Sequence, residues 1–417
     1  SLYHGFSVIS GGPGTGKTTT VAKVLALHIA LDPQCRIMLA APTGKAATRL
    51  QESLAQTIEG LDVAPIIKEK IILPVMTIHR LLGYGRTGFR YNLEHPLEAD
   101  LVLIDEASMV DLPLKAALIQ ALTPTSKLIL LGDQYQLASV QPGAVLGEIC
   151  SGGAGFTDEF LRLARGVHVA VPREKRQNDL ANSIVTLEKS YRFKGDSGIR
   201  LLSDLIKKGD GPSALEVLRD PQYPDVALQK NQMTNLLAEI IKAYHPEQED
   251  LLAGFSSLGV LCCHRSGLFG VDELNQQVSA SFHHGGQTYY HGLPLMVLAN
   301  DYTQGLYNGD TCVVVEKDGR FYGCFRDGQE LRFVLVRKLP AHAPAYAITV
   351  HKSQGSEYDA VAFLLPQGGS RVLGRELVYT AITRARYRVT VYGAAQVFLD
   401  SIAKKVERVS GLAARVW

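Results

Sequence analysis

Short, largely apolar runs alternate with amphipathic stretches in the first third of the chain. Runs at Phe6–Ser10, Arg36–Ala41, Leu101–Asp105 and Lys127–Leu131 predict strands, and Lys17–Leu31 and Lys45–Ser53 predict helices after the first two. Strands alternating with helices predict a parallel sheet covered on both faces. From about Ser197 to His245 helical periodicity dominates. A second alternating unit opens at Gly259–Cys263 and resumes at Ala345–Val350, Ala360–Leu365 and Arg388–Tyr392. Between these, Pro294–Leu339 has a different texture. Its β-branched runs are punctuated by Asn308-Gly309, Asp318-Gly319 and Asp327-Gly328, a hairpin signal. This stretch reads as a small antiparallel barrel inserted into the second parallel domain. Gly83–Tyr91, where aromatic and basic residues alternate around glycines, reads as a further hairpin. Residues 151–190, with a Gly-rich start and the run Arg173-Glu174-Lys175-Arg176, read as a linker or surface excursion. No internal repeat is evident.

The length, 417 residues, allows two or three domains. With 46% hydrophobic and 20% charged residues the chain reads as soluble and globular. A net charge of +2 announces no polyanion partner globally, so any nucleic-acid binding comes from local grooves. No apolar run approaches the roughly 20 residues of a membrane span, and no signal peptide is visible. The chain starts at Ser1 without Met and reads as a piece of a longer protein. Cys35, Cys150, Cys262, Cys263, Cys312 and Cys324 form no C-x-x-C pair. They read as buried or free thiols of a reducing cytosol. The 12 histidines show no metal-ligand spacing.

Chemistry concentrates at the carboxyl ends of the first-third strands, where open parallel sheets bind ligands. Gly11-Gly12-Pro13-Gly14-Thr15-Gly16-Lys17-Thr18 lies between a strand and a helix, the setting of a phosphate-binding P-loop. Its backbone N–H groups and the helix dipole suit phosphate oxygens. Lys17 would reach the β/γ-phosphates and Thr18 would hold Mg²⁺. Asp105-Glu106 ends an apolar strand, as a Walker-B element does. Asp105 would hold Mg²⁺ through water, and Glu106 would activate the attacking water. In Gly132-Asp133-Gln134-Tyr135-Gln136-Leu137, Gln136 would sense the γ-phosphate or orient that water.

In order along the chain these stretches resemble the motifs of superfamily 1 helicases. Gly11–Thr18 is similar to motif I, Ala41–Ala47 to Ia and Thr77–Leu82 to Ib. Asp105–Ser108 is similar to II, Gly132–Leu137 to III and Lys189-Ser190-Tyr191-Arg192-Phe193 to IV. Val350–Glu357 is similar to V and Val378–Arg386 to VI. The wording is closest to the RecD family, the alpha subunits of exodeoxyribonuclease V.

The resemblance implies an ATP- and Mg²⁺-dependent 5′→3′ DNA helicase or translocase with two RecA-like domains. It implies domain 1A at 1–185, including a pin hairpin at 83–95. It places domain 2A at 186–293 and 340–417, and an SH3-like insert at 294–339. ATP would sit in the cleft between the parallel domains, held by Gly12, Gly14, Thr15, Gly16, Lys17, Thr18 and Thr19, with Gly355 and Glu357. Arg192 and Arg384, supplied by the second domain, would neutralise charge on the γ-phosphoryl group; arginine fingers are worth roughly 10³–10⁵ in rate. Single-stranded DNA would touch Thr43, Lys45, His79, Thr349, His351 and Lys352, and Tyr84, Phe89 and Tyr91 would split or guide the duplex. The implied partners are single-stranded DNA or duplex ends and RecB- and RecC-like subunits, in the cytoplasm.

The chain departs from the family in lacking the amino-terminal docking region, and no adenine-reading glutamine motif is identifiable, so base contacts stay open. A stand-alone RecD-like helicase also fits these departures, and two other readings remain. One is a single-strand translocase that acts only within a complex. The other is a partner-binding scaffold with a vestigial ATPase, which the intact Lys17, Asp105, Glu106 and Arg384 argue against. Motifs IV to VI disfavour a P-loop kinase or small GTPase. No carboxylate cluster beyond the Walker-B pair supports a nuclease.

Overall fold

The computed structural model describes residues 4–139, 144–152, 155–166, 179–193, 197–230, 233–245, 250–282, 287–301, 303–327, 330–368, 370–406, 411–412 and 415. The run Arg173–Arg176 and the Asp327-Gly328 turn lie wholly or partly outside them. Two compact units result, Ser1–Arg192 with Glu407–Trp417 and Phe193–Val406.

The first unit is built on β1 (Phe6–Gly11), β2 (Ile37–Ala41), β3 (Val75–Thr77), β6 (Leu101–Ile104), β7 (Lys127–Gly132) and β8 (Ile184–Leu187). They form one parallel sheet in the order β3-β2-β6-β7-β1-β8. Both faces are buried, which is why the central strands are continuously apolar. Val8, Val102, Ile104, Leu128 and Leu130 enter one core, while Ile9, Leu101, Leu103, Ile129 and Leu131 enter the other. Helices α1 (Lys17–Leu31) and α2 (Gly44–Glu59) cover the second of these faces. A two-stranded hairpin, β4 (Tyr84–Gly85) and β5 (Gly88–Phe89), follows β3.

The second unit has its own parallel sheet, made of β9 (Val226–Gln229), β10 (Leu258–Cys262), β16 (Ala347–Thr349), β17 (Tyr358–Leu364) and β18 (Ala385–Tyr392). Its order is β16-β10-β17-β18-β9. The insert is a five-stranded antiparallel sheet, β14-β13-β12-β11-β15. Its strands are β11 (Pro294–Val297), β12 (Thr311–Lys317), β13 (Arg320–Asp327), β14 (Glu330–Leu335) and β15 (His342–Pro344). It reaches past the expected end at Leu339, because β15 pairs with β11. Insert and parallel sheet share one hydrophobic core, in which Leu295, Val297, Cys312 and Val314 pack with Leu258, Val260, Cys262 and Leu364.

Three strands depart from the expected pattern. β8 lies inside the expected linker and pairs with the P-loop strand, so residues 151–190 are not merely a surface excursion. β9 lies inside the expected helical stretch and forms the sheet edge beside β18. β3 was not anticipated at all. Each is three or four residues long and only partly buried, so no apolar run announces it. The helix expected at Lys45–Ser53 runs from Gly44 to Glu59. The first unit extends through Arg192 rather than stopping at residue 185, and residues 407–417 group with it.

Candidate active site

Because the first sheet is parallel, its strands deliver their following residues to one edge. The P-loop leaves β1, Thr43 follows β2, Asp105 follows β6 and Asp133 follows β7. Gly14 and Gly16 have φ of +70° and +82°, a left-handed conformation that side chains other than glycine rarely adopt. A Cβ on Gly14 would also collide with Arg192. Thr15 Oγ1 donates to the Gly12 carbonyl at 2.8 Å. Lys17 Nζ donates to the carbonyls of Gly11 (2.6 Å) and Gly12 (3.0 Å) and is thereby folded over the loop. α1 has no side-chain cap and no acidic residue in its first turn, whereas α2 is capped by Thr43. The first-turn N–H groups of α1, which no side chain caps, together with the lysine and the loop geometry suit a polyphosphate.

Asp105 is half-buried at the end of β6, and its backbone N–H donates to the Ala40 carbonyl. Desolvation and the neighbouring Glu106 carboxylate push its carboxyl above the usual carboxylate range, against the pull of Lys17 and Arg49. A desolvated carboxylate with a like-charged neighbour is stabilised by a cation, so the chemistry of this strand end suits a divalent ion. Glu106 itself has φ 48° and ψ 40°, a strained conformation for a residue with a Cβ. Asp133, 1% exposed, accepts from Tyr135 N (3.0 Å) and Gln136 Nε2 (3.2 Å). That leaves Gln136 Oε1 buried with no hydrogen-bond partner among the described residues. An acceptor so placed is suited to a water proton.

Motif IV corrects one expectation. Arg192 belongs to the first unit, not the second. Tyr191 N donates to the Gly14 carbonyl at 2.7 Å and Ser190 Oγ to the Pro13 carbonyl at 3.2 Å, so the irregular segment after β8 folds onto the P-loop. The Tyr191 ring is 72% exposed, lies beside Gly16, and has Lys189 Nζ 5.0 Å from its centroid. No role for this tyrosine was legible in the sequence, because its neighbours in space are far away in the chain.

Within the second unit, Gly355 has φ +72° and Glu357 pairs with Arg386 at 3.3 Å. Arg384 is 3% exposed; its Nε donates to Thr380 O and its Nη1 to Ser356 O, both at 3.3 Å. Thr349 Oγ1 accepts from Lys352 N (3.3 Å), as Thr43 Oγ1 accepts from Ala46 N (3.2 Å). His351 is half-buried in the same short turn as Lys352.

In the hairpin only Tyr84 among the three expected aromatics is exposed. Phe89 and Tyr91 lean on the first unit's core, with the Arg90 guanidinium 5.4 Å from the Tyr91 centroid. His79 packs edge-on against Tyr84 at 5.4 Å and lies 6.0 Å from Phe89. Among the described residues no further cluster of His, Cys, Asp and Glu could hold a metal ion, and no helix is long and apolar enough to cross a membrane.

A family model described as an AAA domain matches residues 1–142, and one described as a UvrD-like helicase C-terminal domain matches residues 344–392. The RecBCD enzyme subunit RecD of Haemophilus influenzae is 35% identical, over 98% of this chain and 69% of its own length. The RecBCD enzyme subunit RecD of Mycolicibacterium smegmatis is 37% identical, over 100% and 73%. The ATP-dependent RecD2 DNA helicase of Deinococcus radiodurans is 29% identical, over 97% of this chain and 49% of its own. Among solved structures, a Bacteroides Pif1 helicase in complex with ADP-AlF3 and single-stranded DNA has a TM-score of 0.51 at 18% identity, covering 97% and 92% of the two chains. A Candida albicans Pif1 helicase has a TM-score of 0.51 at 16% identity, covering 99% and 96%. These two share the fold. The sequence relatives, matched over essentially the whole chain by a protein carrying this P-loop, Walker-B edge and motif order, decide the family: the chain belongs to the RecD family.

Proposed function

We infer that this chain is an ATP-dependent DNA helicase motor of the RecD type. The observation that carries the reading is the single sheet edge that gathers Lys17, Thr18, Asp105, Glu106 and Gln136 beside a helix N-terminus left uncapped by side chains. The nucleotide phosphates lie against Gly12–Thr19, with Lys17 exchanging its loop carbonyls for phosphate oxygens. Thr18 and Asp105 would hold Mg²⁺, which would supply positive charge against the nucleotide phosphates. Glu106 takes a proton from the attacking water, and the free Gln136 acceptor orients it. Arg192, beside the P-loop, neutralises the transferring phosphoryl group, and the motif order of the family supports Arg384, Gly355 and Glu357 as further nucleotide-binding residues. The exposed Tyr191 ring offers a stacking face for the base, which supports a base contact the sequence left open.

Single-stranded DNA is held through Thr43, Lys45, His79, Thr349, His351 and Lys352, by hydroxyls and cations that recognise phosphate without reading sequence. Tyr84 is the exposed aromatic that meets the duplex. The 5′→3′ polarity, the SH3-like character of the insert, assembly with RecB- and RecC-like subunits and a role in break repair are parts of this reading supported by the family. A cytoplasmic setting accords with six cysteines that form no disulfide. The test is steady-state ATPase with no nucleic acid, with single-stranded DNA and with single-stranded RNA. We expect strong stimulation by DNA and loss of turnover in Lys17→Ala. Turnover indifferent to DNA, or surviving in Lys17→Ala, would overturn it.

A further inference from the structure

Two short turns are built alike. Thr77-Ile78-His79-Arg80 follows β3, and Thr349-Val350-His351-Lys352 follows β16. Each of these strands ends its own parallel sheet. The two threonines share a backbone, φ −75° and ψ 151° against φ −73° and ψ 152°. Each hydroxyl accepts from the backbone N–H three residues on, at 3.2 Å from Arg80 and 3.3 Å from Lys352. Each turn is also fastened to the accessory element of its own unit. In the first, the His79 ring packs on the hairpin aromatics. In the second, Lys352 Nζ donates to Asn308 Oδ1 at 2.6 Å, in the turn between β11 and β12.

That turn is itself fixed. Asn308 N donates to Asn300 Oδ1 at 2.8 Å, Gly309 N donates to Val297 O at 2.9 Å, and Gly309 has φ +101°. Asn308 is therefore a neutral acceptor on a rigid mount, beside an otherwise flexible four-carbon side chain. It occupies one of the three ammonium donors, leaves two, and cancels none of the charge. Partial desolvation holds the Lys352 pKa below the ordinary lysine value, and a neutral partner does not restore what the surroundings take away.

We propose that Asn308 is a positioning residue for DNA binding, by which the insert holds the Lys352 ammonium in place for a backbone phosphate. The proposal rests on Lys352 being a DNA contact. The insert then acts on the strand through motif V even where it touches no nucleotide itself.

The test is anisotropy of a labelled oligo-dT strand with the full chain, for Asn308→Ala, Asn308→Asp, Lys352→Ala and the Asn308→Ala/Lys352→Ala pair, each checked for an unchanged melting temperature. Lys352→Ala should weaken binding about tenfold or more, and should reduce the slope of log affinity against log salt by about 0.7. Asn308→Ala should weaken binding roughly threefold to tenfold with the slope retained, and should add nothing in the Lys352→Ala background. Asn308→Asp should also weaken it, because its carboxylate competes with phosphate for the ammonium. If Asn308→Ala binds as well as or better than the parent, or costs the same with and without Lys352, the positioning role is wrong while the DNA contact stands. If Lys352→Ala binds normally, the contact and the proposal fall together.

Discussion

Glu106 is held in a left-handed conformation that costs roughly 1–2 kcal/mol for a residue with a Cβ. On the proposed reading Glu106 is the general base, the kind of role for which such backbone strain is retained. Glu106→Gln should therefore lower kcat by about 10²–10⁴ with nucleotide affinity nearly unchanged, as single-turnover hydrolysis and equilibrium nucleotide binding would report. A drop confined to affinity would remove Glu106 from the chemistry. Lys115 makes a different residue-scale case. It is 5% exposed on the helix Leu112–Gln120, and its Nζ has no hydrogen-bond partner among the described residues. Burial lowers its pKa to about 8, against the attraction of Asp111. Below that value both folded and unfolded chains carry the proton, so the folded state bears a desolvated cation. Above it the folded form sheds the proton first, and the deficit shrinks as pH rises towards the ordinary lysine value. Lys115→Met should stabilise the first unit by roughly 2–3 kcal/mol at pH 7, and by less at pH 9.5. Denaturant titrations at the two pH values check it; a less stable Met variant at pH 7 would mean the ammonium is held by a partner.

The hairpin is short, two strands of two residues, and a lone hairpin of that size is marginal in water. What holds it is the packing of Phe89 and Tyr91 on the core and of His79 on Tyr84. If His79 acts through its ring, His79→Phe should keep duplex unwinding near the parent rate, while His79→Ala should lose it out of proportion to single-strand binding. Equal loss in both would assign His79 to direct contact with the strand through its nitrogens. Elements of this kind also show what the sequence could carry. The central strands β1, β6 and β7 were legible because both faces are buried and the apolar run is unbroken. β3, β8 and β9 were not, because edge strands need bury little of their length. The P-loop, Asp105-Glu106 and Gln136 were legible because their geometry is local to one strand–turn unit. The fold-back of Tyr191 onto Gly14 and the bond from Lys352 to Asn308 were not, since each joins residues distant in sequence through surfaces that only the folded chain creates.

A net charge of +2 gives the whole molecule little long-range pull on a polyanion, so affinity for a strand comes from a few fixed cations. Lys45→Ala should accordingly flatten the salt dependence of single-strand binding by about 0.7 in slope, a large share of a small total. A slope that does not move would place the strand elsewhere.

The common core of the insert and the second parallel sheet carries a consequence for heredity and engineering. Tyr290 in the approach to the insert bonds Tyr346 beside the parallel sheet, hydroxyl to hydroxyl at 3.0 Å, and the aromatic ring of Tyr244 meets Tyr346 at 5.3 Å. Among the described residues one hydrophobic core runs from the insert into the parallel sheet. Excising 294–344 would strip cover from Leu258, Val260 and Tyr346 rather than release a passenger. Amide protons of β10 and β11 should therefore exchange at a common slow rate, and this insert should drift in step with its host sheet, graft and stock ageing as one tissue.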